Sequence, residues 1–177
     1  SRLPQDRWSW VEINQGALRR NARAFKNLLN PRQRLCCVVK ADAYGHGAVA
    51  CAKIMYATGA DMFAVATVKE GIELREGGIV SPILLLSEPP AESIDLLLEH
   101  DIMPSVYTFE FALAYGERAS QLGKIGKYHM VIETGMNRIG VHYTDVIEFR
   151  RSIHFHRGIQ CDGVFTHFAT ADEQSGW

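Results

Sequence analysis

Three positions place chemically capable side chains where an apolar run stops. Lys40 closes Cys36-Cys37-Val38-Val39 and is followed by Ala41-Asp42-Ala43-Tyr44-Gly45-His46-Gly47. An amine at the mouth of a buried strand loses hydration, which favours its neutral form, and a neutral amine can attack an aldehyde to form a Schiff base. The plainer role is a lysine that extends its charge out of the first loop. Arg138 lies in Glu133-Thr134-Gly135-Met136-Asn137-Arg138-Ile139-Gly140, where the glycines permit close approach to a ligand. Its guanidinium offers a permanent charge and forked donors for an anionic oxygen, or simply a partner for Glu133. His167, in Thr166-His167-Phe168-Ala169-Thr170-Ala171-Asp172, could bind a metal, exchange a proton, stack on a ring or serve as a hydrogen-bonded structural histidine.

Other candidates are weaker. His154 and His156 stand near Cys161, but Arg150, Arg151 and Arg157 around them favour a solvated basic edge over a metal site. The glycines beside His46 form neither a dinucleotide-binding nor a Walker loop. Ser87-Glu88-Pro89-Pro90 reads as a turn.

These groups need elements to position them. Short apolar runs at 36–39, 62–65, 83–86, 102–106, 129–132 and 163–166 read as buried strands, since unbroken apolarity suits a parallel strand covered on both faces. Between them lie helix signals. Asn14 caps a helix with Leu18, Ala22, Phe25 and Leu29 on one face, and Thr67 with Glu70 forms a capping box closed by Gly77-Gly78. Ala91, Ile94, Leu97 and Leu98 make a further stripe; Thr108 opens a helix reaching Leu122, and Thr144 or Asp145 one reaching about Ser152. Each interval between strands is long enough for a helix and a return. About six βα units in a row give an α/β chain, either a doubly wound sheet or part of a (β/α)8 barrel. The 177 residues fall short of the roughly 250 a whole barrel takes.

Composition narrows the function classes. Nineteen basic against 20 acidic residues leave a net charge of −1, which argues against nucleic-acid binding. No apolar run reaches the roughly 20 residues of a membrane span, and the first residues lack a secretory signal. Four cysteines without a CxxC pair or a disulfide spacing suggest reduced, mostly buried thiols in the cytoplasm.

Taken together, Val39-Lys40-Ala41-Asp42-Ala43-Tyr44-Gly45-His46-Gly47, Thr134-Gly135-Met136-Asn137-Arg138-Ile139-Gly140 and Thr166-His167-Phe168-Ala169-Thr170-Ala171-Asp172 closely resemble alanine racemase, a pyridoxal-phosphate family with a TIM barrel and a C-terminal β-domain. Trp10-Val11-Glu12-Ile13-Asn14 and Ala17-Leu18-Arg19-Arg20-Asn21 resemble that family's N-terminus. The resemblance implies an isomerase that interconverts L- and D-alanine, supplying D-alanine for the cell wall, with serine or a broader range as other substrates. It implies Lys40 as Schiff-base lysine and base on one face, Tyr44 on the cofactor phosphate, Arg138 on its phenolic oxygen and His167 against its ring. It further implies a cytoplasmic homodimer in which a neighbouring subunit's second half supplies a tyrosine as the opposite base. A non-catalytic pyridoxal-phosphate-binding protein and a related barrel decarboxylase are the other readings. The Tyr44-Gly45-His46-Gly47 continuation favours the racemase.

Two departures stand out. Where the family commonly carries a lysine, often carbamylated, seven residues before the motif arginine, this sequence has Val131. A bound anion or another side chain is therefore expected to hold Arg138. The remaining barrel strands, the opposite-face tyrosine and the C-terminal β-domain are also missing. Residues 1–177 therefore read as the N-terminal part of a racemase barrel domain, truncated or paired with a separate second half, and inactive alone.

Overall fold

The structure, a computed structural model, describes residues 11–173; Trp10 of the N-terminal string and residues 174–177 lie outside them. Helix α1 (Gln15–Leu28) precedes β1 (Cys36–Val38), which leads through a left-handed turn, α2 (Lys40–Gly45), into α3 (Ala48–Tyr56). Then follow β2 (Met62–Val65), α4 (Val68–Glu76), β3 (Ile83–Leu85), α5 (Ile94–Glu99), β4 (Ile102–Val106) and α6 (Phe109–Gln121). The chain ends in β5 (Gly126–Glu133), β6 (Val141–His142), α7 (Val146–His154) and β7 (Ile159–Thr166). Helices begin where local chemistry starts them. The Asn14 side chain accepts from Ala17 N–H, Thr67 and Glu70 complete their capping box, and Thr108 accepts from Phe111 N–H.

All strand pairs are parallel, in the order β1-β2-β3-β4-β5, with β7 along the length of β5 and the two-residue β6 at its C-terminal end. Side chains alternate between two faces. Phe63, Val65, Ile83, Leu85, Ile102, Val106, Tyr128 and Met130 join one large cluster with helix residues such as Leu74, Leu97, Phe111 and Ile153. On the other face Ala64, Leu84 and Met103 form a small cluster with Met62, Leu86 and Phe165 against it. This is the curved inner wall of a barrel-type α/β sheet.

All six expected strands are present, and β6 is added. Strand β7 starts four residues before the apolar run at 163–166, because Gln160 and Asp162 face solvent and break its apolarity. A bulge between Tyr128 and His129 shifts the β5–β7 register and leaves Gly163 opposite His129. A Cβ at Gly163 would lie 2.5 Å from the His129 ring, so a side chain there would displace that ring. The α1 stripe is only partly buried. Ala22 packs inside, Phe25 stays 63% exposed and Leu29 is the C-cap. Ala91 lies in an exposed 3-10 turn ahead of α5 rather than on its buried stripe. Of the cysteines, all free, only Cys51 is buried; Cys36 and Cys37 sit on edge strand β1.

Candidate functional site

The segment after β1 has an unusual backbone. Ala41, Asp42, Ala43 and Tyr44 have φ of 50°, 53°, 53° and 56°, a left-handed helical turn without glycine. Each such residue costs roughly 1–2 kcal/mol against the right-handed form, so the surroundings must hold it. Ala43 N–H donates to Val39 O at 2.9 Å and Gly47 N–H to Asp42 O at 2.9 Å. The Asp42 carboxylate accepts Ala48 N–H at 2.6 Å, and His46 Nδ1 lies 2.9 Å from Ala43 O, a bond that requires the proton on Nδ1. Ala41 N–H donates to Glu70 Oε1 at 2.8 Å. The turn leaves the Lys40 side chain half-buried at the strand end and Tyr44 61% exposed above it. Among the described residues Lys40 has no carboxylate partner within ion-pair distance.

Arg138 is carried by the loop after β5. The Glu133 carboxylate accepts N–H groups from Gly135 and Asn137, which wraps the loop around it. The Gly135 N–H first, then those of Asn137 and Met136, hold this carboxyl below the usual range. Gly140 closes the loop with φ of 123°, and a Cβ there would meet Glu133 N at 2.9 Å. The ion pair weighed between Arg138 and Glu133 is therefore not formed; backbone amides take the carboxylate instead. No side chain among the described residues holds Arg138. The Thr134 and Thr166 hydroxyls meet at 2.6 Å and tie this loop to the end of β7, where His167 follows.

Period two then explains the cavity. Alternation places Val38 and Lys40 from β1, Ala66 after β2, Leu86 after β3, Val131 and Glu133 from β5, and Phe165 and His167 at β7 on the inner face. They line one cavity of about 430 Å³ at the C-terminal ends of the strands, together with Tyr44, Met136 and Arg138. Lys40, Tyr44, Arg138 and His167, predicted from three separate strings, thus border the same space. Val131 contributes an apolar wall beneath Arg138. His154, His156 and Cys161 do not converge: His154 bonds to Arg150, His156 abuts Gly116 and Cys161 donates to Gly163 O.

Sequence reasoning missed the carboxylates that knit this rim. Glu70 was legible as a helix cap, but its bond to Ala41 was not. Glu88, read only as part of a turn, accepts Tyr107 N–H at 2.7 Å, Thr108 N–H at 2.8 Å and the Thr108 hydroxyl at 2.5 Å, joining the end of β3 to the start of α6. An acidic residue within two positions of the apolar runs 83–86 and 129–132, at Glu88 and Glu133, was the available signal.

A parallel α/β sheet with a polar-rimmed cavity beyond its strand C-termini defines the barrel-type α/β class, in which sites lie at that end of the strands. The sequence pattern described as alanine racemase, N-terminal domain, matches residues 13–176, and the chain belongs to that family. The alanine racemase of Carboxydothermus hydrogenoformans is 44% identical over 165 residues, 93% of this chain and 44% of the relative. The crystal structure of the Bacillus anthracis alanine racemase with bound L-Ala-P superposes with a TM-score of 0.88 at 34% identity, covering 98% of this chain and 45% of that one. A histidine racemase from Leuconostoc mesenteroides subsp. sake matches with a TM-score of 0.83 at 28% identity, over 92% of this chain and 44% of that one. The chain thus spans under half the length of the relatives it matches. The family uses pyridoxal phosphate, and the residues present fit that group. An amine without an ion pair can meet an aldehyde, a hydroxyl and a guanidinium can meet anionic oxygens, and Val38, Leu86, Val131 and Phe165 offer an apolar lining to a planar ring.

Proposed function

We propose that residues 1–177 form the cofactor-holding part of a pyridoxal-phosphate-dependent amino-acid racemase that interconverts L- and D-alanine. The observation that carries this reading is the convergence of Lys40, Tyr44, Arg138 and His167 on one cavity. Alanine as substrate rests on the relatives of about 40% identity, which are named alanine racemases. When bound, pyridoxal phosphate acts as an electron sink for charge left at an amino acid's α-carbon.

The chain's own groups do the rest. Lys40 Nζ is the amine that would hold the cofactor and, when not so engaged, would take or return an α-proton on its own face. Tyr44 would donate a hydrogen bond from its hydroxyl to the phosphate. Arg138 would set a permanent positive charge by the phenolic oxygen and favour its anion. His167 would flank the ring. Inversion also needs a proton delivered to the opposite face, where Lys40 does not reach. We place that second base outside residues 1–177, because the relatives are more than twice as long as the part matched here, and on the partner subunit of a homodimer, as the family resemblance implies. Among the described residues no helix is long and apolar enough to cross a membrane; a cytoplasmic setting is what the family resemblance implies.

Reduction with borohydride in the presence of pyridoxal phosphate, followed by peptide mapping, tests this reading. The label is expected on Lys40; a label on another lysine overturns the assignment. Residues 1–177 purified alone are expected not to racemise alanine, and substantial turnover would overturn the placement of the second base.

A further inference from the structure

The left-handed turn after Lys40 is joined to its neighbours at one notable place. A capping box needs only one oxygen of its acid, and Glu70 Oε2 fills that role by accepting Thr67 N–H at 3.1 Å and Ala66 N–H at 2.8 Å. Its other oxygen, Oε1, reaches across to Ala41 N–H at 2.8 Å, the residue directly after Lys40. The other hydrogen bonds of segment 41–47 given above close within 39–48. Among the described residues the Glu70 bond is the hydrogen bond that connects this segment to a different βα unit. One half-buried carboxylate therefore fixes the strained turn against the end of β2 and the first turn of α4.

We propose that Glu70 is a positioning residue for Lys40 and Tyr44, holding the left-handed turn so that both side chains face the cavity. The role assigned to those two side chains rests on the function proposed above. Glu88 provides the internal comparison, since it joins rim segments in the same way but touches no residue next to Lys40 or Arg138.

The test compares Glu70→Ala, Glu70→Gln and Glu88→Gln in the protein with and without pyridoxal phosphate. Without cofactor, hydrogen exchange of the backbone amides of 41–47, followed by mass spectrometry, is expected to rise about tenfold in Glu70→Ala. A smaller rise is expected in Glu70→Gln, whose amide keeps one acceptor, and none in Glu88→Gln. With cofactor, the pyridoxal phosphate concentration that half-saturates borohydride labelling of Lys40 is expected to rise about tenfold in Glu70→Ala and to stay near wild type in Glu88→Gln. If Glu70→Ala does not fold, Glu70→Gln carries both arms. Unchanged exchange at 41–47, or faster exchange with unchanged half-saturation, overturns the proposal and leaves Glu70 a helix cap. The exchange arm uses no cofactor, so it decides the clamp even if wild-type Lys40 takes no label, a result that instead overturns the proposed function.

Discussion

The two faces of the parallel sheet are held by different physics. On the helix side, Phe63, Val65, Ile83, Leu85 and Val106 have no exposed surface, and their stabilisation comes from non-directional burial of apolar area. On the inner side the apolar cluster shrinks to Ala64, Leu84 and Met103, and above it the rim is set by directional bonds from Glu70, Glu88 and Glu133 to backbone amides. Burial fixes that the sheet forms, with latitude in detail. Carboxylate–amide bonds fix where a loop sits to within a hydrogen bond, which is what a site needs.

Substitutions on the two faces should separate stability from chemistry. Lys40→Ala is expected to abolish cofactor labelling at this position while changing stability by no more than about 0.5 kcal/mol, as for a partly exposed side chain without partners; a large fall in the denaturation midpoint would break the distinction. Phe63→Ala, on the buried face, is expected to cost about 3–5 kcal/mol in denaturant unfolding, with labelling of Lys40 retained in the folded fraction.

Arg75 extends the contrast to the opposite end of the strands. Its guanidinium donates to the carbonyls of His100, Ile79, Ser81 and Asp101 at 2.7–2.9 Å, tying together the segments that enter β3 and β4. Arg75→Ala is expected to lower stability by about 1–2 kcal/mol through the loss of four bonds to part-buried and exposed carbonyls, measured by urea unfolding, and to leave the cofactor concentration for half-labelling unchanged.

The smallest effect concerns pH. Burial on the inner face holds the His129 imidazole below its ordinary value, opposed by the Asp162 charge. The unfolded chain then binds this proton more readily than the folded one. Stability from this group is present above the ordinary histidine value of about 6.5 and declines as pH falls towards the depressed folded value. His129→Gln is expected to flatten the pH dependence of the unfolding midpoint between roughly pH 7 and 5. An unaltered slope would show that the inner wall solvates His129 as water does.

Much of this was legible along the chain. Asn14, Thr67 and Thr108 start helices through bonds to residues three positions on, so their effect is written within a few residues. The apolar runs located all six main strands because burial on both faces leaves an unbroken signature in β2, β3 and β4. The same rule understated β7, whose alternate exposure hides its first half, and passed over β6, too short to carry a pattern. Nothing in Ala41-Asp42-Ala43-Tyr44 announces a left-handed turn; by local preference these residues favour the right-handed form. The Arg138–Glu133 pairing, one alternative the sequence offered, is not formed for a related reason. A nearby arginine is visible in the sequence, whereas amides turned inward by a loop are not.

The amino-acid order alone therefore determined six of the seven strands among the described residues, the helix starts at Asn14, Thr67 and Thr108, and the family to which the chain belongs, because caps and side-chain alternation act over a few residues and motif strings are contiguous. Only the tertiary structure decided that Lys40, Tyr44, Arg138 and His167 share one cavity, and that Glu70 braces the turn beside Lys40. Those outcomes depend on parallel register and on a hydrogen bond between residues 29 positions apart, interactions that exist only once the sheet has assembled.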